Sequence, residues 1–267
     1  MKVVLLSHTP NPEQLIAASA NVCYSNKTID ELMTDMTPEK AAALVQKLID
    51  MGHESPLEHV TFTFAIEGVS RVLSHQLVRT RIGIAISQRS QRYISESGSG
   101  HTVPPLAQRD KQTQSEYNEY IDAAFENYNS MTQAFTFDMI IDWSKTNWKE
   151  FHAKQRDMDA YDAYEWFKKT YPELTKDFKK KAQEDARYLL PNACHTSMVV
   201  TMNARALLNF FKLRCCRRAQ NEINELAWEM RSLVQSTAPA VFEKSGPSCL
   251  FGSCSEGAYT CCSPYLK

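Results

Sequence analysis

The strand-like segments of this chain are short and lie far apart, with long helical segments between them. Apolar and polar residues alternate with a period of two over 60–66 and again over 196–202, which is typical of strands with one buried face. The apolar segment 2–7 is a third predicted strand. Strands and helices do not alternate regularly, so the sequence predicts an α+β fold and excludes a doubly wound parallel sheet.

Helical patterning accounts for most of the remaining chain. Thr37 and Pro38 mark the N-cap and first residue of one helix, and Gly52 marks its end. Residues 73–79 suit a second, short helix, whereas Gly83 predicts a loop or bulge around it.

The second half of the chain is predicted to be almost entirely helical. After Pro104 and Pro105 the pattern stays helical for about eighty residues, with an interruption at Pro172. Residues 204–234 are amphipathic throughout, so we predict one long helix there.

Composition places the chain among folded proteins. It has 267 residues, 43% of them hydrophobic, and 30 Lys plus Arg against 31 Asp plus Glu give a net charge of −1. This balance excludes a disordered chain and lacks the basic excess of a nucleic-acid-coating protein. We expect one large domain over 1–245 and a separate tail over 246–267. Short apolar runs and the lack of a signal-peptide pattern predict a cytoplasmic protein without membrane or nucleic-acid partners.

Four of the eight cysteines lie in the tail, at positions 249, 254, 261 and 262. Eight are too few for a disulfide scaffold in a chain of this length, so we expect reduced thiols. The spacing between successive tail cysteines is wider than the close pairs of a compact zinc site. We therefore expect no metal and a disordered tail.

The densest group of hydrogen-bond donors is 79–92, where arginine recurs among Ser and Gln and no acidic residue occurs. Such a group is either a solvated basic face or a site for an anion. The apolar neighbours within and before it favour the anion site.

A second polar group surrounds the start of the predicted long helix. Asn203 and Arg205 fall at the helix N-terminus, a favoured place for phosphate, and Asn209 follows one turn later. Arg214 lies on a neighbouring face, so its membership depends on the tertiary fold. A solvated arginine with a capping asparagine explains the same spacing, and the sequence leaves both interpretations open.

Several familiar catalytic arrangements are excluded. His53 and His59 are six apart with Pro56 between them, so they cannot form the zinc site of a helical protease motif. No Gly-x-Ser-x-Gly elbow and no Gly-x-Gly-x-x-Gly loop occurs.

Six segments together resemble the flavin-dependent thymidylate synthases. They are HESPLEHVTFTF at 53–64, SHQLVRTR at 74–81, SQRSQRY at 87–93, ARYLLPN at 186–192, TMNAR at 201–205 and NFFKLRCCRRAQ at 209–220. The matches run in order over most of 1–257. They are poorest over 131–180, where we expect a helical insertion.

The resemblance implies a fold and a reaction. The fold is a central antiparallel sheet flanked by long helices. The reaction makes thymidylate from dUMP, with methylenetetrahydrofolate as carbon source and FAD reduced by NADPH. The resemblance also implies a homotetramer with active sites at subunit interfaces.

Site residues carry over motif by motif. Those implied to hold dUMP are Gln76, Leu77, Val78, Arg79, Gln88, Arg89, Ser90, Gln91, Arg92, Arg187 and Arg214. Those implied to contact FAD are Ser55, Arg79, Thr80, Arg81, Gln88, Asn203, Arg205 and Asn209, with His53 near the flavin and folate. Arg214 is implied to be catalytic, because a guanidinium beside the uracil stabilises charge that develops on the ring.

The chain departs from the family pattern in its arginine motif. Thr80 stands where the family has His, and the segment 82–89 before Ser90 is one residue longer. Two alternatives therefore accompany the first interpretation. One is a diverged enzyme that transfers a one-carbon unit to another pyrimidine nucleotide or hydroxymethylates dUMP. The other is a nucleotide-binding protein without activity.

Overall fold

The computed structural model describes residues 1–147, 160–261 and 265. The strands are β1 (Lys2–His8), β2 (Thr61–Ser70), β3 (Ile84–Gln88) and β4 (His195–Asn203). The α-helices are α1 (Pro12–Asn21), α2 (Ile29–Asp35), α3 (Pro38–Asp50), α4 (Arg71–Leu77), α5 (Lys111–Thr146), α6 (Ala160–Thr170), α7 (Pro172–Ala186), α8 (Ala204–Arg214), α9 (Asn221–Thr237) and α10 (Pro239–Phe242). None of the described helices is both long enough and apolar enough to cross a membrane.

The chain divides into two compact units. The first contains Met1–Gln88 and the chain from Thr196 onward, and the second contains Arg89–His195. These boundaries differ from the expected division at residue 245. The single catalytic domain and the insertion over 131–180 stay predictions, and residues 148–159 of that insertion lie outside the described residues.

A four-stranded sheet of order β1-β2-β4-β3 is the centre of the first unit. β1 pairs antiparallel with β2, with a register shift between Leu5 and Ser7, and β3 pairs antiparallel with β4 without any shift. β2 and β4 alternate between buried and more exposed residues, as their sequence period predicts. The α+β prediction is confirmed.

The inner face of the sheet packs against helices from both ends of the chain. Phe62 on β2 is fully buried and meets the Phe242 ring edge to face at 5.4 Å, while Phe211 on α8 contacts the same ring at 5.9 Å. Burying an aromatic side chain of this size stabilises the fold by about 1.5–3 kcal/mol. This core holds β2, β4 and α8 in fixed positions, and the candidate site is built on their ends.

Local predictions succeed where a cap or a breaker is explicit. α3 begins at Pro38 with the hydroxyl of Thr37 accepting a hydrogen bond from the backbone N–H of Lys40 at 3.4 Å. The interruption at Pro172 separates α6 from α7. The short helix α4 ends at Leu77, before the predicted end at 79.

Two sequence predictions are wrong. Residues 204–234 do not form one helix, because α8 ends at Arg214 and α9 begins at Asn221. The amide of Asn224 donates to the backbone oxygens of Arg214 and Cys216, so the carbonyls at the end of α8 find partners without the helix continuing. The loop predicted around Gly83 does not continue beyond Gly83, because strand β3 begins at Ile84.

The described part of the tail is also more ordered than expected. Two short 3-10 helices, Ser248–Leu250 and Gly257–Tyr259, lie in it, and Cys249 is buried. Arg218 pairs with Glu256 and the Tyr265 hydroxyl donates to the Cys215 carbonyl at 3.2 Å. The seven cysteines within the described residues are free thiols, and Cys262 lies outside them.

Candidate functional site

The first unit contains a cleft of about 380 Å³ that we call the arginine cleft. Its lining residues are Arg79, Thr80, Arg81, Ile82, Ala206, Asn209, Phe210, Leu213 and Arg214. Five of the predicted site residues therefore share one surface, although the sequence alone left Arg214 on a neighbouring helix face.

Two elements bring the arginines of this cleft together. α4 ends at Leu77, whose carbonyl accepts the N–H of Thr80 at 3.0 Å, and the chain carrying Arg79 and Arg81 then leaves the helix. Arg214 is the last residue of α8 and is half-buried. The apolar face of α8 packs into the core, so the arginine at its end has a fixed point of attachment.

The charges of this cleft have no neutralising carboxylate in the part of the chain that the structure describes. Among the described residues, the side chains of Arg79, Arg81 and Arg214 have neither a hydrogen-bond acceptor nor an ion-pair partner. Three guanidinium groups around one cleft repel one another, and a bound anion would offset that repulsion. This geometry favours an anion site over a solvated basic face for this part of the donor group.

A second cleft of about 560 Å³, the asparagine cleft, shares Ile82, Ala206 and Asn209 with the first. Its other lining residues are Ile49, Glu54, Glu58, Asn203, Arg205, Leu208, Lys212, Lys244, Ser245 and Gly246. Asn203, Arg205 and Asn209 therefore lie on one surface, as their spacing predicts.

Arg205 is held by two carboxylates. Its Nε lies 3.2 Å from Glu54 and its Nη1 lies 2.6 Å from Glu58. The hydrogen bond to Glu58 raises the pKa of the Arg205 guanidinium above its ordinary value. Half of the Arg205 side chain stays exposed, so the guanidinium is oriented by the two carboxylates and keeps N–H groups accessible to solvent or a ligand.

Asn203 connects β4, α8 and the connection before β3. Its side-chain oxygen accepts the N–H of Ala206 at 2.8 Å, which makes it the N-cap of α8. The backbone N–H of Asn203 donates to the carbonyl of Gly83 at 2.9 Å. Gly83 has a φ of +70°, and a Cβ there would lie 2.4 Å from the Asn203 amide nitrogen. Only glycine lets the chain pass this close to the asparagine.

The remaining predicted residues of the first unit differ in access. Ser55 and His53 are exposed, and neither is among the residues lining the two clefts. Leu77 is fully buried in the core, which leaves only its backbone for contact with a nucleotide, whereas Val78 is exposed. Gln88 donates to the hydroxyl of Thr196 at 3.2 Å.

Four consecutive predicted residues begin the second unit. The Nη2 of Arg89 lies 3.4 Å from the buried carboxylate of Glu96, and the Nη2 of Arg92 lies 3.0 Å from Glu184. The Nε of each arginine is buried and has no acceptor among the described residues.

The other predicted residues of this unit are Ser90, Gln91 and Arg187. The Ser90 hydroxyl accepts the N–H of Arg92, and Gln91 is nearly buried, with its amide 3.9 Å from the Cys194 sulfur. Arg187 caps the end of α7 and is half-buried.

The chain has relatives of similar length and a matching family model. The model described as "Thymidylate synthase complementing protein" matches residues 4–240. A protein of Clostridium tetani named flavin-dependent thymidylate synthase is 42% identical over 98% of this chain and 93% of its own length. A protein of the same name from Geobacter sulfurreducens is 38% identical over 98% and 94%. The chain belongs to the flavin-dependent thymidylate synthase family.

A solved structure supports the fold of this family member. The UMP/dUMP methylase PolB of Streptomyces cacaoi, bound with 5-Br dUMP, superimposes with a TM-score of 0.64. At 19% identity, over 91% of this chain and 93% of that one, it shows the fold alone. The family and fold predicted by the sequence motifs are confirmed.

The structure localises the departures from the flavin-dependent thymidylate synthase motif. Thr80 is half-buried and lines the arginine cleft, so the missing imidazole falls inside the candidate site. β3 pairs with β4 in a continuous register from Ile84 to Gln88. The longer segment 82–89 therefore introduces no bulge into this strand pair.

Among the described residues, no cysteine lines either cleft. Burial raises the pKa of the Cys215 thiol to about 12, so it stays protonated and is a poor nucleophile near neutral pH.

Within the described residues, no group of three or more His, Cys, Asp and Glu side chains could hold a metal ion.

Sequence reasoning missed three acidic residues that organise the site. Glu54 and Glu58 have no local signal in the sequence, because their partner Arg205 is more than 140 residues away. Glu222 is buried near the start of α9. The sequence does carry a sign of this burial, because Glu222 lies four residues before Leu226 and so falls on the apolar face of α9.

The close approach of Gly83 to Asn203 makes a testable prediction. We expect Gly83→Ala to displace the Asn203 side chain from its capping position and to destabilise the protein by about 1–3 kcal/mol, because it adds a positive-φ penalty to the loss of a cap. Chemical denaturation measures this change. Gly98→Ala is the matched control, because Gly98 has a φ of +72° with open space around it and carries the backbone penalty alone. Equal losses in the two variants would contradict the capping role.

Proposed function

We propose that this chain is a flavin-dependent thymidylate synthase that converts dUMP to dTMP. Methylenetetrahydrofolate supplies the carbon and NADPH the reducing equivalents, so the products are dTMP, tetrahydrofolate and NADP⁺. Family membership over nearly the whole chain supports this activity. The observation that carries it in the structure is the arginine cleft, in which Arg79, Arg81 and Arg214 have no partner among the described residues.

The two clefts of the first unit fit a flavin dinucleotide. They share Ile82, Ala206 and Asn209, and they offer guanidinium and amide groups suited to phosphate and to ring carbonyls. We propose that FAD is held by Ser55, Arg79, Thr80, Arg81, Gln88, Asn203, Arg205 and Asn209. When bound, FAD supplies the reduction that completes the methyl group. Thr80 offers only a hydroxyl where the family has an imidazole, so Arg79 and Arg81 provide the charged contacts around it.

Arg214 is the proposed catalytic residue. A uracil ring is a poor nucleophile at carbon 5 until negative charge develops on its amide and carbonyl oxygens. A guanidinium stays protonated throughout and stabilises that charge from a fixed position. Arg214 meets both requirements, because it ends a packed helix and has no carboxylate partner within the described chain.

The second unit offers a separate set of donors for dUMP. We propose that Arg89, Ser90, Gln91, Arg92 and Arg187 contact the nucleotide, chiefly its phosphate and sugar. The buried Nε atoms of Arg89 and Arg92 support this role, because a buried donor without an acceptor is costly unless a ligand satisfies it. From the first unit, Gln76, Leu77, Val78, Arg79 and Gln88 are proposed to contribute, Leu77 through its backbone.

We also propose a homotetramer in the cytoplasm, with His53 near the flavin and folate. The sheet face opposite the core is exposed and apolar at Val4, Leu6 and Val199, which suits burial against another copy. Free cysteines fit a reducing compartment.

Product identification tests the proposed reaction. Purified protein is incubated with dUMP, methylenetetrahydrofolate, NADPH and FAD, and mass spectrometry measures the nucleotide formed. We expect dTMP, and we expect none when FAD or NADPH is left out. A hydroxymethylated nucleotide, or methylation of UMP in preference to dUMP, would show the diverged enzyme instead. Binding without any product would show a nucleotide-binding protein.

The role of Arg214 has its own test. We expect Arg214→Ala to lower kcat by at least about 10³-fold, since it removes charge stabilisation needed as the reaction proceeds, while the flavin content stays at the wild-type level. Flavin absorbance and dTMP formation measure the two effects. Arg217→Ala is the control, because Arg217 lies three residues later and stacks on Tyr265 outside the cleft. Loss of flavin with Arg214→Ala would show that the residue holds the cofactor.

A further inference from the structure

We infer that Glu222 and Asn224, in the first turn of α9, are positioning residues for the arginine cleft. This inference rests on the proposed function, because it concerns the alignment of Arg79 and Arg214 on the nucleotide. Neither Glu222 nor Asn224 lines the cleft. Each acts through a helix whose C-terminal end lies next to the cleft, Glu222 through α4 and Asn224 through α8.

Glu222 holds the beginning of α4. Its side chain is only 9% exposed. One carboxylate oxygen accepts the backbone N–H of Ser70 at 2.7 Å, and the other accepts the Ser70 hydroxyl. Ser70 is the N-cap of α4, and its hydroxyl oxygen accepts the N–H of Leu73 at 3.1 Å. The carboxylate therefore fixes the cap of the helix that is followed directly by the segment of Arg79.

Asn224 holds the end of α8. Its amide nitrogen donates to the carbonyl of Arg214 at 2.7 Å and to that of Cys216 at 3.1 Å. Carbonyls in the last turn of a helix have no partner inside the helix, so they accept from elsewhere. Asn224 supplies that donor at the residue whose guanidinium is the proposed catalytic group. The position where the Arg214 side chain leaves the backbone is thereby set by α9.

A third contact crosses the same junction. The Gln76 amide in the last turn of α4 lies 3.5 Å from the side-chain oxygen of Gln220, the residue before α9. One turn of α9 and its N-cap thus contact both elements that carry arginines into the cleft. A misplacement of about 1 Å at a catalytic group can lower a rate by about 10²-fold, so contacts of this kind matter for turnover as well as for stability.

The experiment must separate alignment from simple stabilisation of the fold. The variants are Glu222→Ala, Glu222→Gln and Asn224→Ala, with Val234→Ala as the matched control. Val234 is fully buried on the same helix, packs in the core and lies outside both clefts. Three quantities are measured for each variant: Tm, the Kd of dUMP by calorimetry, and kcat for dTMP formation.

We expect Asn224→Ala and Glu222→Ala to weaken dUMP binding about 10-fold and to lower kcat by about 10–100-fold. Glu222→Gln keeps an acceptor for the Ser70 N–H and should stay within about 3-fold of wild type in both quantities. Val234→Ala should lower Tm at least as much as the two alanine variants Glu222→Ala and Asn224→Ala do. Its Kd for dUMP and its kcat should stay within about 2-fold of wild type. Should Glu222→Ala fail to fold, Asn224→Ala carries the same test, because Asn224 is only half-buried.

Three results would overturn the inference. The first is that both alanine variants lower Tm but leave Kd and kcat as Val234→Ala does. The second is that Glu222→Gln is as impaired as Glu222→Ala. The third is that wild-type protein does not bind dUMP at all. Wild-type protein that binds dUMP but forms no dTMP would defeat the proposed function instead, and the Kd comparison would still decide the inference.

Discussion

Three like charges around one cleft are the constraint on which the rest of this site depends. Arg79, Arg81 and Arg214 repel one another, and no carboxylate among the described residues offsets them. The fold must therefore hold them together by other means. Burial of Phe62, Phe211 and Phe242 fixes β2 and α8, and the hydrogen bonds of Glu222 and Asn224 fix the ends of α4 and α8. We propose that an anionic ligand supplies the missing compensation.

The arginines of the predicted site fall into two groups, those paired with a carboxylate and those without such a partner among the described residues. Arg205 has two carboxylate partners in the asparagine cleft, and Arg89 and Arg92 each have one. Each of these arginines is oriented by its partner and retains N–H groups for a ligand. Arg214 has no such partner, which suits a group whose full charge is needed by the reacting ring.

The sequence predicts features whose cause is local. The strand around Phe62, the helix start at Thr37 and the helix N-terminus at Asn203 each depend on residues nearby in the chain, and each is confirmed. The break after Arg214 was missed, because it depends on the side chain of Asn224, ten residues later and inside the same amphipathic pattern. The pairing of Arg205 with Glu54 joins residues 151 apart and has no local signal. The assignment of ligand contacts to individual residues came from the family resemblance and stays a prediction.

We propose that Arg214, at the arginine cleft, contacts the uracil of dUMP and stabilises its ionised form. The most direct measurement is the ultraviolet difference spectrum of dUMP when it is titrated into the flavin-loaded protein at mildly alkaline pH. We predict the absorbance of a deprotonated uracil ring in wild-type protein and its loss in Arg214→Ala. A bound dUMP that keeps the spectrum of the neutral ring in wild-type protein would show that Arg214 does not stabilise the ionised uracil.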